Sequence, residues 1–566
     1  MTTLSEQVSE MPQTALRSPD EVMRLERLGA CFPNRLSFMR TLVRWLSREK
    51  AEVTRPVWEI NDQGYGRAVY SVPLDGDVYS LVAFSQPLAA ENRSDRVIAE
   101  AWDASFALFD GVPTKADLDR LEANTPKQEA GRYEPTELSL SRANKSVRFF
   151  EHVAGRLAEG QQPDPDLLNS IGYLMRTTAV YGNGKLGFAD RARIDSRPAM
   201  WESFHVEMLN VWLIRGFTHD LVEHIAKARN PDGFAPLTAE TKRCLGIGNA
   251  TGLGLAPFLV NHSLLLNNWM LVRETALARV RAVQQADTAT IATVRALMQR
   301  VTRHLDQWSV EDTRQMTRIE TLRQEWPRVI ELTSENWLSQ DFPWDRLVVA
   351  SADWSVECQE LIVALVMEPY GDLVDDLADG LASRGKPQLA PAMSVADLSA
   401  LVDQNYGWAV AIDFSDPKEE HQFWYVSEAK LEPRLGKRFE EDGADKESPL
   451  DIARRVKALA GDLKDAPGSE NVAAFLMRHP EHRYVARRVQ ASEAHPYCEI
   501  RDNLLSEDCL PIDMLRFKLA YFGASKFDPK SDLWTRINMY QGAPTFDEIA
   551  STEADDWWLP VLGETS

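Results

Sequence analysis

The chain is short of several things, and each shortage excludes a class of protein. Its 566 residues hold 5 cysteines, Cys31, Cys244, Cys358, Cys498 and Cys509, an odd number and mostly far apart. That is no disulfide framework, and a reducing cytosol fits it. The first residues, MTTLSEQVSEMPQTALRSPDE, have no apolar core and carry acids early. They match neither a signal peptide nor an Arg-rich transit peptide, so a short flexible arm and a cytoplasmic location are expected. Basic residues are scarce beside acids, 63 Lys+Arg against 85 Asp+Glu, for a formal charge of −22. Such an excess repels nucleic acid and anionic lipid, so neither is expected as a partner. Long apolar runs are missing too. The 29 positions between Arg243 and Arg273 carry no charge, but Asn249, Thr251, Pro257, Asn261, His262, Asn267 and Asn268 interrupt them. A membrane-spanning helix needs about 20 mostly apolar residues, so this run is read as protein core. Also absent are a Walker loop, a G-x-S-x-G elbow, and kinase, EF-hand and CxxC signatures.

What is present is the composition of a soluble globular protein, 44% hydrophobic and 26% charged. The stretch from Ala68 to Phe84, AVYSVPLDGDVYSLVAF, alternates on both sides of Asp75-Gly76, a hairpin pattern. From about 140 to 390 the pattern is helical almost throughout, and GWAVAIDFSDP and HQFWYVS form a second β block. The expected fold is therefore α+β and predominantly α-helical, a long helical middle region flanked by two small antiparallel β blocks. The expected divisions are an arm over 1–20, an α+β domain with the hairpin over 21–130, a helical central domain over 140–395, and an α+β domain over 396–566.

Four constellations carry chemistry. The first is Leu174–Asp190, whose only cations are Arg176 and Lys185, set among Tyr181, Gly182, Asn183 and Gly184. Glycines let a backbone approach a ligand, and exposed N–H groups beside two cations make an anion cradle. The bland alternative is a glycine-rich helix stop with a solvated lysine. The segment has an echo in Phe522–Phe527, again an aromatic, a glycine, two small residues, a lysine and an apolar residue.

The second constellation is a helix over 202–228. At 100° per residue Val211, Ile214, Phe217, Leu221, Val222 and Ile225 share one arc. Arg215, His219, Glu223 and Lys227 follow one another at four-residue spacing, which reads as a solvated salt ladder. Glu207 falls within the apolar arc, where a carboxylate must be paired or raise its pKa. The third is the neutral run itself. Its Gly246-x-Gly248-x-x-x-Gly252 lacks the strand–turn–helix context of a dinucleotide fingerprint. Asn249, Asn261 and Asn268 are buried amides that need partners, supplied by one another, by backbone or by a ligand. The fourth is His479-x₂-His482 followed by His495-x₂-Cys498, a spacing that resembles a zinc site. Histidines in ordinary polar loops are its alternative.

These readings combine into one functional expectation. It is a cytosolic enzyme acting on a small anionic metabolite, a carboxylate or phosphate, by acid/base chemistry of lyase, isomerase or hydrolase type. Tyr181, His262 and Glu207 are the candidate catalytic groups. Arg176, Lys185, Gly182, Asn183, Gly184, Asn249, Asn261 and Asn268 are the candidate substrate-binding residues. No cofactor is expected, with structural zinc on His479, His482, His495 and Cys498 as the alternative. The competing class is a non-catalytic scaffold, regulator or assembly subunit, since 16 tryptophans also suit a homo-oligomer interface.

Overall fold

The structure is a computed structural model, described over residues 16–92, 101–126, 134–177, 197, 200, 204–252, 263–381, 387–415, 424–426, 431–433, 446–447, 452–501, 511–531, 534–550 and 556–561. Most described residues are helical. The chain forms two compact units, each assembled from three separated stretches. A sheet unit takes Pro33–Gly252, Ala292–Pro327 and Leu519–Ser566; a helical unit takes Met1–Phe32, Leu253–Ile291 and Arg328–Lys518.

The sheet unit corrects the expected fold class. In place of a small N-terminal β block stands one nine-stranded mixed sheet. Its strands are β1 (Thr54–Ile60), β2 (Gly66–Leu74), β3 (Asp77–Ser85), β4 (Ala104–Asp110), β5 (Glu137–Lys145), β6 (Tyr173–Thr177) and β7 (Gly246–Gly252). Three more, β8 (Trp424–Val426), β9 (Leu431–Pro433) and β10 (Lys446–Glu447), make a separate small sheet ordered β10-β8-β9. Then β11 (Lys526–Ser531) and β12 (Trp534–Met539) close the large sheet, whose order is β1-β2-β3-β4-β5-β6-β7-β12-β11. All its neighbours pair antiparallel except β6 and β7, which run parallel. The region read as helical thus supplies β5, β6 and β7, and the far C-terminal region supplies β11 and β12. Conversely, most of GWAVAI, read as a strand, ends the helix Val395–Ala411.

Local chemistry explains these strands. The β2–β3 hairpin turns at Asp75 and Gly76, whose φ values of 52° and 82° are the positive pair a type I′ turn requires. In β7, GIGNATG, side chains are small because neighbours occupy their space. A Cβ on Gly248 would lie 2.6 Å from the Tyr173 ring, and one on Gly246 would lie 2.1 Å from Asn538 Oδ1.

Three helices of the sheet unit are α1 (Phe38–Arg48), α2 (Phe149–Ala158) and α3 (His205–Arg229). Helix α3 crosses the sheet, touching β2 through β7. Asn210 Nδ2 donates to Ser141 Oγ on β5 at 3.0 Å, and Phe217 meets Phe106 of β4 with ring centroids 5.7 Å apart. The helix is buried on nearly every side, Arg215 and His219 included. That overturns the solvated-ladder reading for Arg215 and His219, which the sheet and the chain around Pro544 enclose, whereas Glu223 is half-buried and Lys227 exposed. Gly216 admits the Phe546 ring, since a Cβ there would lie 2.0 Å from that ring.

The helical unit is built on α4 (Ser263–Arg281), α5 (Val356–Met367), α6 (Val395–Ala411), α7 (Ile452–Asp465), α8 (Val472–Arg478) and α9 (Arg483–Ala491). A buried ion cluster joins α4, α5 and the chain near Arg17. Arg17 pairs with Glu274 at 2.7 Å and Glu360 at 2.9 Å, Arg27 pairs with Glu360 at 2.8 Å, and Arg273 pairs with both carboxylates. Three guanidiniums therefore face two carboxylates that are fully buried. Helices α6 to α9 share an apolar core that includes Val402, Tyr406, Leu459, Phe475 and Val489. Several tryptophans are core residues as well: Trp212, Trp269, Trp344 and Trp558 are wholly buried. Among the described residues no helix is long and apolar enough to cross a membrane.

Candidate functional site

The site with the densest chemistry lies on α3 in the sheet unit. Arg215 and His219, one turn apart, and Asp220 beside His219 line a cavity of about 280 Å³ together with Arg55, Tyr70, Lys242 and Asp547. Arg215 is 1% exposed, and its guanidinium donates to the carbonyls of Leu245 (2.8 Å), Pro544 (3.0 Å), Lys242 (3.0 Å), Arg243 (3.3 Å) and Ala543 (2.9 Å). It makes no ion pair among the described residues. Burial pulls its pKa down to about 9, so it stays charged at neutral pH.

His219 is 5% exposed, and its Nε2 has no hydrogen-bond partner among the described residues. Burial, then the Arg215 and Lys242 charges, hold its pKa well below the ordinary imidazole range, so the ring is neutral at pH 7. At the other wall, Asp220 Oδ2 accepts from Tyr70 Oη at 2.6 Å and from Arg55 Nη1 at 2.7 Å. Burial and the Asp220 charge push Tyr70 well above the usual phenol range, which fixes it as a donor. Lys242 Nζ lies 3.1 Å from Glu223 Oε1. The cavity, which Asp220 and Asp547 also line, thus offers a neutral imidazole next to an arginine that is in no ion pair among the described residues, although the Glu548 charge acts on it. That arrangement suits a small anion, and the imidazole can hydrogen-bond to it or take a proton from it.

A second cavity in the same unit is larger, about 420 Å³, and is lined by His304, Trp308, Glu311, Ser525, Asp528 and Gln541 among others. It is lined by two carboxylates and by neither lysine nor arginine.

The residues singled out from sequence do not all meet in one place. Tyr181, Gly182, Asn183, Gly184, Lys185, Asn261 and His262 lie outside the described residues. Arg176 and Asn249 stand on the adjacent strands β6 and β7, but on opposite faces. Arg176 is paired with Asn144 and with Gly248, so Asn249, one residue on, points the other way. Ala143 pairs with Thr177 and shares a face with Ser141, the partner of α3, which puts Asn249 on the α3 side and Arg176 on the far side. Asn249 is fully buried, and neither of its amide atoms has a hydrogen-bond partner among the described residues. Glu207 is 3% exposed, on α3. Asn268 belongs to the helical unit, where its Oδ1 accepts from Asn267 Nδ2 at 3.4 Å.

His479 and His482 come together with Asp462 and Glu481. His495 and Cys498 do not belong to that group: His495 Nδ1 stands 3.5 Å from Asn267 Nδ2. Burial, aided by Glu499, pushes the Cys498 thiol up to about 12, so it keeps its proton at neutral pH.

Sequence reasoning noticed the Arg215–His219 ridge with Asp220 beside it but missed Arg55, Tyr70 and Lys242 as its companions. Tyr70 reads as an ordinary inward strand residue, and no spacing links it to a residue 150 positions away. The usable signal was the neighbourhood of the ridge, since an arginine and a histidine one turn apart lie close to an arc of six apolar residues. No protein-family model, curated protein or solved structure matches the chain.

Proposed function

We propose that this protein is an enzyme acting on a small anionic metabolite, a carboxylate or phosphate, bound in the α3 cavity. One observation carries the reading: the buried Arg215, in no ion pair among the described residues, stands beside the neutral His219, whose Nε2 has no hydrogen-bond partner among them. A buried cation in no ion pair is costly, and an anionic guest offsets that cost. The guest would also raise the basicity of His219, because a nearby negative charge favours imidazolium. Binding would convert the ring from a neutral hydrogen-bonding group into a proton acceptor. A cofactor-independent lyase, isomerase or hydrolase needs such a group. Lys242, at the cavity wall, would anchor the anion, and Tyr70 would hold Asp220 in place.

A second position for the same ligand class is favoured by a separate observation. The strands β6 and β7 run parallel, and ligands gather beyond the carboxyl ends of parallel strands. Asn249, whose amide has no hydrogen-bond partner among the described residues and which lies on the α3 face, would be the described part of that site; Arg176, on the other face, would not join it. Tyr181, Lys185 and His262 follow these strands in sequence.

Thermal-shift measurements with phosphate and a panel of small carboxylates test the reading. A ligand at a hundred times its Kd adds about 2.7 kcal/mol to stability. The expected result is a shift that His219→Gln and Lys242→Ala abolish and Asn249→Ala leaves intact. A shift lost only in Asn249→Ala would move the site to the strand ends. The hit ligand is then incubated in D₂O and followed by NMR for turnover or proton exchange. Binding without either would make this a binding protein and end the enzyme reading.

A further inference from the structure

The His479-x₂-His482 pair sits in the helical unit, far in sequence from the α3 residues. Helix α8 ends at Arg478 because Pro480 cannot continue it and restricts the residue before it. His479 leaves the helix with φ −125° and ψ 64°, and a 3₁₀ turn over Pro480–His482 leads into α9. The turn is closed by the His482 N–H donating to the His479 carbonyl at 3.1 Å. Residues three apart eclipse in such a turn, so the two imidazoles point the same way. Their centroids are 6.0 Å apart and their planes differ by 25°. Phe475, itself wholly buried, stacks against both, at 4.8 Å on His479 and 6.1 Å on His482. The rings are therefore placed by the apolar core, not by solvent.

Asp462, near the end of α7, reaches the same point. Its Oδ2 is 2.6 Å from His482 Nε2 and 3.7 Å from His479 Nδ1, and Glu481 Oε1 is 3.6 Å from His479 Nδ1. The four donor atoms all lie within 4.8 Å of one another. A tetrahedral ion bound at zinc distances separates its ligand atoms by about 3.3 Å. Two of the spacings exceed that slightly, and the third is a hydrogen bond that lengthens once a metal replaces the shared proton. We infer that Asp462, His479, Glu481 and His482 form a divalent-metal site suited to zinc, which clamps α7 to the α8–α9 turn.

The donor set supports the choice of ion. Two imidazoles and two carboxylates suit zinc and its late first-row neighbours; calcium and magnesium prefer oxygen alone. Two carboxylates also neutralise the ion's charge. The site is open on one side: the side chain of His482 is 6% exposed, whereas those of Asp462 and Glu481 are 44% and 61% exposed. An ion can therefore enter without opening the core. The set keeps half of the sequence-derived zinc pattern and replaces His495 and Cys498 with two acids that spacing alone did not connect.

The test uses the full chain, stripped by a chelator and titrated with zinc against a chromophoric competitor. Cobalt(II) is then added as a spectroscopic probe of coordination. The expected result is one equivalent of zinc and the visible absorption of four-coordinate cobalt. His482→Gln and Asp462→Asn should each weaken uptake at least about tenfold, while a His495→Gln/Cys498→Ala variant binds as the parent does. Zinc should raise the melting temperature of the parent and not of His482→Gln. Metal-free parent and variant should melt together, which separates loss of a ligand from loss of fold. Uptake should weaken in acid, because protons compete for the metal-binding groups. Absence of stoichiometric uptake, or uptake undiminished in His482→Gln, would overturn the site.

Discussion

Glu360→Gln tests the buried ion cluster of the helical unit most directly. The parent sets Arg17, Arg27 and Arg273 against Glu274 and Glu360, and both carboxylate side chains are completely shielded from solvent. The amide keeps the shape and one acceptor but removes a charge, leaving three guanidiniums facing one carboxylate. Breaking a buried pair on one side costs about 3–5 kcal/mol, because the abandoned charge has no water to turn to. For a unit of this size each kcal/mol moves the melting point by about 2–4 °C, so the expected drop is about 6–20 °C. Calorimetry of the transition that reports on this unit is the assay. Adding Arg273→Met to Glu360→Gln restores the parental excess of one positive charge, so part of the loss should return, as a coupling of about 0.5–3 kcal/mol. The pH dependence follows from the direction of the Glu360 shift. Burial opposes ionisation, but the Arg17, Arg273 and Arg27 charges prevail and hold the carboxyl well below the ordinary glutamate range. A depressed folded pKa gives stability that is complete above the unfolded value and fades as acid approaches the folded one. The gap between parent and Glu360→Gln should therefore be constant from neutral pH down to about pH 5 and narrow below it. A loss under about 1 kcal/mol at neutral pH, or a gap that widens in acid, would refute the account of this cluster.

Two further outcomes concern the sheet unit. Gly216→Ala places a methyl group 2.0 Å from the Phe546 ring, so the usual helix gain of alanine is reversed and about 1–3 kcal/mol is lost, readable by urea denaturation. His219 has a folded pKa well below 6.5, so under mild acid the unfolded chain binds a proton that the folded chain refuses. Stability should fall below pH 6.5 by up to about 1.4 kcal/mol per pH unit from this residue, and His219→Gln should flatten that slope; an unchanged slope would mean that the ring is charged in the fold.

What the sequence discloses depends on whether a residue's role is set by near neighbours or distant ones. The β2–β3 hairpin is legible because Asp75-Gly76 supplies the two positive φ angles within the turn itself. The buried arc of α3 is legible because its partners repeat at helical spacing. Strand β7 is not: GIGNATG has a single large apolar residue, and its glycines answer to Tyr173 and Asn538, far away in sequence. The same glycines resemble a nucleotide loop when read without those neighbours. Trp408–Ala411 alternates like a strand yet continues α6, because Ala409 packs into a core shared with α7 and α9. Of the α3 cavity, Arg215 and His219 were visible as a ridge. Their burial was not, since it comes from chain near residue 544. The pairing of His479 with His482 was visible in their spacing, but Asp462 joins them only through the packing of α7.

Strand β7 also has a consequence for biosynthesis. One of its edges is matched by β6, but the other waits for β12, which begins at Trp534, roughly 280 residues downstream of Gly252. At ribosomal speeds of about 5–20 residues per second, that edge stays bare for about 14–56 s. A nascent chain with such an open seam is a target for holding chaperones and for mispairing with another copy. The last hairpin is thus the stitch that seals the sheet, and truncation before Trp534 should yield aggregates, not a smaller folded product.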